Sequence, residues 1–115
     1  MTTLVDLIAT PLRWGLAMFG RPQQYALNDN SATVQLVAWV RGVRSDDLFA
    51  GAMQQDMAAV INAAAFRAAF SPRATPQRYD RIRIAGRSWS VEEWRGSPND
   101  DEPVFYKLLL RGGSQ

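Results

Sequence analysis

The chain contains no cysteine and no histidine. Without cysteine there is no disulfide, no thiolate nucleophile and no thiolate metal site. Without histidine the commonest metal ligand and the commonest general base are gone as well. None of the glycines belongs to a phosphate-cradling motif, since Gly42 stands alone and Gly112-Gly113 comes at the end of the sequence. A membrane-spanning run is missing too. Leu4 to Phe19 is apolar, but Asp6, Pro11 and Arg13 interrupt it, and it is shorter than the ~20 residues a span requires. No basic stretch precedes it, so it reads as part of a soluble protein without a signal peptide.

The chemistry that remains is thin. Asp100-Asp101-Glu102 is the densest acidic group, yet it lacks the spaced ligands of a calcium loop and reads as a solvated loop. The serines and tyrosines have no partner base in view. These residues predict no enzyme, no cofactor and no bound metal.

What the chain does have is an ordinary globular composition, 47% apolar over 115 residues with a formal charge of +2. That is one domain by length, and too little net charge to argue for nucleic-acid binding by itself. The distribution says more than the sum. Seven arginines lie between Arg67 and Arg95, whereas acidic residues gather at Asp46-Asp47 and at Asp100-Asp101-Glu102. Opposite patches on one small domain suit head-to-tail contact between identical subunits, which pairs two different surfaces. Arg81, Arg83 and Arg87 are the candidate cations of such an interface, and Asp100 and Asp101 the candidate anions.

Ile82 and Ile84 alternate with Arg81 and Arg83, Gly86 supplies a reversal, and Trp89 and Val91 resume the alternation. This is a hairpin with one buried and one wet face. Regular pairing puts Trp89 opposite the arginines and in the core. Further N-terminal, Thr3 and Asp6 resemble a capping box and Leu4, Leu7 and Ile8 have helical spacing, with Pro11 delaying or kinking the helix and Gly20 ending it. Gln23 to Leu27 reads as a short strand, Asn28 to Ser31 as a turn, and Thr33 to Val43 as a long strand. Both faces of that long strand are apolar, Val34, Leu36, Ala38 and Val40 on one and Val37, Trp39 and Val43 on the other. It must lie between a core and something else that excludes water, the N-terminal helix or another subunit, and Trp39 is a candidate interface residue.

Over residues 48–70 the signals conflict. The alanines favour helix by propensity, while Met57 to Ile61 reads equally as a strand followed by a helical turn through Asn62 to Phe70. Glu92 to Trp94 precedes a loop through Arg95-Gly96-Ser97-Pro98, and Val104 to Arg111 is a core strand. The fold class expected is mainly β with a helical appendage: a small β-barrel or sandwich of antiparallel strands preceded by an N-terminal α-helix. The domain divides into a helix at 1–20, a β-rich body at 21–111 and a flexible tail at 112–115.

Three pieces taken in order resemble the small head–tail joining proteins of tailed bacteriophages, the head-completion or stopper proteins of the neck. They are the helix leading into Met18-Phe19-Gly20-Arg21-Pro22-Gln23-Gln24-Tyr25; Val60-Ile61-Asn62-Ala63-Ala64-Ala65-Phe66 ahead of Thr75-Pro76; and Asp80-Arg81-Ile82 through Gly86, Trp89 and Val91, closed by Tyr106 to Arg111. Tyr79 departs from the pattern, standing where such proteins usually carry glycine before the aspartate. The resemblance implies that Met57 to Ile61 is a strand. It also implies a barrel-like domain assembled as a homo-oligomeric ring between a portal or adaptor protein and the tail or its terminator, around or below the genomic DNA. Its place would be the virion neck, and the host cytoplasm during assembly. A tail-completion protein is the neighbouring alternative, and a small single-stranded nucleic-acid-binding barrel the alternative from another class.

Overall fold

The structure is a computed structural model describing residues 14–43, 49, 56–97 and 103–114. Residues 14–19 are helical (α1). Then follow β1 (Arg21–Ala26), β2 (Thr33–Gly42), β3 (Met57–Asn62), α2 (Ala63–Phe70), β4 (Arg81–Ile84), β5 (Arg87–Ser97) and β6 (Phe105–Ser114). The strands close into an antiparallel barrel in the order β1-β2-β3-β6-β5-β4. Closure gives every strand a hydrogen-bonded neighbour on each side over at least part of its length. Mainly β, barrel and N-terminal helix are therefore as expected. The proposed capping box, the Pro11 kink and the two acidic clusters fall outside the described residues.

Alternation decides what points inward. Tyr25 pairs with Ile82, Ala38 with Ile61, Ile61 with Tyr106, Ala59 with Leu108 and Val91 with Leu110. All of these side chains are buried in one cluster. Trp89, directly opposite Ile82, packs against the same cluster, as the hairpin pattern requires. Over 57–70 the conflict resolves as strand and then helix. Met57–Asn62 pairs with β2 on one side and β6 on the other, so tertiary pairing overrides alanine's helical preference. Asn62 then caps α2, its side chain accepting from the Ala65 amide at 2.9 Å. α2 drives Phe66 and Phe70 into the core, where their rings meet Tyr25 at 5.3 and 5.4 Å between centroids.

Two sequence expectations are corrected. The loop expected at Arg95-Gly96-Ser97 is strand, because these residues pair with Lys107, Tyr106 and Phe105. The tail expected to loosen at Gly112 instead continues β6 to Ser114, which pairs with Ser88. Both follow from the length of the β5–β6 ribbon, since a strand persists as long as its partner offers hydrogen bonds.

Candidate interaction surfaces

The outer faces of β3 and β6 are apolar where α1 crosses them. Val60 and Phe105 are buried there with Leu16, Trp39 and Val104. Trp39, a candidate for core or interface, lies under α1 of its own chain, its ring stacked on Phe19 at 6.1 Å and capped by the Arg41 guanidinium at 5.1 Å. Gly15 makes the fit possible, since a Cβ there would stand less than 3.0 Å from three atoms of the Trp39 ring. α1 keeps a second apolar face in solvent, with Trp14, Met18 and Phe19, joined by Val37 of β2, all at least half exposed.

Buried polar groups are spent on architecture. Asp80 is fully buried and gathers four donors: the Tyr25 hydroxyl at 2.5 Å, the Arg73 guanidinium at 2.6 Å, and the backbone amides of Asn28 and Gln77 at 2.9 Å each. One carboxylate thus ties β1, the turn after it and the loop before β4 to one point. Burial, reinforced by the bond to Asp80, pushes the Tyr25 phenol well above its ordinary range. Asp80 is the lone acidic residue between Arg67 and Val91. That isolation was the available signal for its role, and sequence reasoning passed over it. On the other side Asp56 accepts a two-pronged bond from Arg111, at 3.0 and 2.7 Å, with Glu92 3.8 Å from the same guanidinium. The Asp56 contact holds the Arg111 pKa above the usual arginine value.

The turn before Asp80 holds Tyr79 in left-handed backbone. Its φ is +73°, in the left-handed region where glycine is unstrained and an aromatic residue is not. The ring is exposed, with the Arg78 guanidinium over it at 4.9 Å.

Of the predicted cations, Arg81 and Arg83 share the outer face of β4, opposite Ser90 and Ser88 of β5. Arg87 does not join them. It pairs with Ile84, and directly paired residues lie on the same side of a sheet, so Arg87 belongs to the inward-facing set at the hairpin end, where it is exposed. The two-residue turn Ala85-Gly86, both at positive φ, imposes this parity. Asp100 and Asp101 lie outside the described residues. Arg81 donates to the neutral Asn30 amide oxygen. Neither Arg83 nor Arg87 forms an ion pair among the described residues.

In the closed order β4 stands across the barrel from β3. The arginine wall and the α1 wall are therefore on opposed sides. An open cleft of about 460 Å³ lies where the turn after β1 faces the end of α2, lined by Asn28, Asp29, Phe70, Arg73 and Gln77 among others. Its polar groups already have partners: Arg73 and Asn28 bond each other, and Asp29 holds its own turn through the Ser31 amide. The Ser31 side chain, followed by that amide, lowers the Asp29 pKa. Among the described residues no group of three acidic side chains is arranged to hold a metal ion, and no helix is long and apolar enough to cross a membrane.

No protein-family model matches this sequence, and no curated protein matches it significantly.

Proposed function

We propose that this protein is a structural component of a bacteriophage neck, a ring-forming block between the portal or adaptor and the tail that closes the DNA-filled head. One observation carries the reading: a closed barrel fastens its own loops with its buried charge and leaves two unlike surfaces, one apolar and one cationic, on opposed walls. A ring grows by heterologous contacts, in which one surface of a subunit meets a different surface of the next. Such a part needs shape and unlike sides, and many copies sum weak contacts into a durable assembly. The order of motifs from Phe19-Gly20 through Asp80 to the closing strand supports the same reading.

A single-strand-binding barrel is less well supported. That function needs aromatic platforms beside the cations, and Trp89 packs on the core instead.

The test is mass measurement of the purified protein together with imaging of necks and protein content of particles. The expected result is a closed oligomer and presence in filled heads. A monomer that is missing from mature particles overturns the proposal, and retention with purified tails instead of heads moves it to the tail-completion side.

A further inference from the structure

Arg81 and Arg83 leave the outer face of β4 two residues apart, about 6.7 Å along the strand. With Gln24, Asn30, Thr33 and Ser88 they line a depression of about 270 Å³. Every one of these six side chains offers a hydrogen-bond donor, and no carboxylate lines the site. We propose that this wall binds the phosphodiester backbone of a nucleic acid.

Three features select that ligand. First, three cations elsewhere in the domain are neutralised internally, Arg73 by Asp80, Arg78 by Glu92 and Arg111 by Asp56, whereas Arg81 and Arg83, like Arg87 at the hairpin end, have no carboxylate partner among the described residues. Second, the lining has no apolar anchor larger than Ala26. Protein interfaces draw most of their energy from buried aromatic and aliphatic anchors, while phosphate recognition uses the arginine, amide and hydroxyl donors present here. Third, Arg81 and Arg83 leave the same face of one strand two residues apart, so a single backbone can meet both guanidinium groups. With Trp89 turned inward there is no base-stacking platform beside them, so the contact reads backbone and not sequence.

Two contacts per copy bind weakly, and an assembly of many copies around one DNA multiplies them. The chemistry does not depend on the neck reading, though it supplies that reading with a DNA-facing wall. It also reassigns Arg81 and Arg83 from a carboxylate-bearing neighbour to phosphate, which leaves the apolar wall under and around α1 as the subunit contact of the neck reading.

Amide NMR of the full chain, titrated at low salt with a short DNA duplex, a single strand of the same length and a poly-glutamate peptide, tests the proposal. The expected result is shifts confined to Gln24, Asn30, Thr33, Arg81, Arg83 and Ser88 with both nucleic acids. The logarithmic salt slope should be about −1.8 for duplex and about −1.4 for single strand. R81Q/R83Q should abolish the shifts with the remaining spectrum unchanged, and R83Q alone should halve the slope. No shift at low salt, shifts elsewhere, undiminished binding by R81Q/R83Q, or an equal or stronger response to poly-glutamate overturns it; the last would assign the wall to an acidic protein segment. Particle content judges the neck reading separately, so either idea can fail alone.

Discussion

The Tyr25 hydroxyl donates to the Asp80 carboxylate at 2.5 Å across 55 positions of sequence, and both residues are buried. This bond joins the first strand of the barrel to the loop that starts the arginine hairpin. The position of the candidate phosphate wall therefore depends on a polar contact inside the core.

Removing Arg73 should be costly because it leaves the Asp80 carboxylate buried without its countercharge. We expect R73M to lose about 3–5 kcal/mol of unfolding free energy. The double variant R73M/D80N should lose less than the sum of the single substitutions, because the two residues act on the same buried charge. Urea unfolding of the four proteins checks this. Strict additivity would mean that the pair is not coupled.

Alkaline pH should destabilise the fold through Tyr25. Its native pKa is raised above the ordinary value of 10.0, so above about pH 10 the unfolded chain releases a proton that the native state retains. Stability contributed by this group is present below that pH and falls as pH rises. Y25F should flatten the fall above pH 10, while losing about 1.5–3 kcal/mol at neutral pH for the missing hydrogen bond to a charged acceptor. Urea midpoints measured from pH 7 upward separate the two effects.

Two exposed residues hold left-handed backbone without being glycine or asparagine, Tyr79 at +73° and Ala85 at +51°. Y79G and A85N should each raise stability by about 0.5–1 kcal/mol. For Y79G this is the relief of strain less the loss of the Arg78 contact, and for A85N it is the turn preference. Thermal unfolding is the measurement, and a fall in midpoint for both would show that these positions are not strained.

Gly15 is the contact point of α1 with Trp39. G15V should cost about 1–3 kcal/mol by overpacking and should lift the helix from the barrel. The Trp39 indole resonance would then move to a solvent-exposed position while the amides of β4 and β5 keep their shifts. An unmoved Trp39 would show that the helix is held elsewhere.

Local patterns carried the fold a long way. The alternation in Ile82, Ile84, Trp89 and Val91 identified the hairpin and its inner face, because a period of two depends only on neighbouring residues. The two apolar faces of β2 announced a second covering layer, and α1 provides it. Arg87 was grouped with Arg81 and Arg83 by charge, although it stands two residues before Trp89 on the same strand and so shares that residue's face. For Trp39 the sequence left core and interface both open, because it does not say what covers the outer face of a strand.

By itself the sequence determined that this domain is β-rich, has neither thiol nor imidazole chemistry, and carries an amphipathic hairpin crowded with arginine. Those are properties of composition and near-neighbour spacing. Only the tertiary structure decided that the sheet closes, that residues 57–62 form a strand between β2 and β6, that Asp80 is a buried knot, and that the arginines of β4 lie opposite α1. Each of these rests on partners dozens of residues apart, whose meeting is set by the packing of the whole barrel.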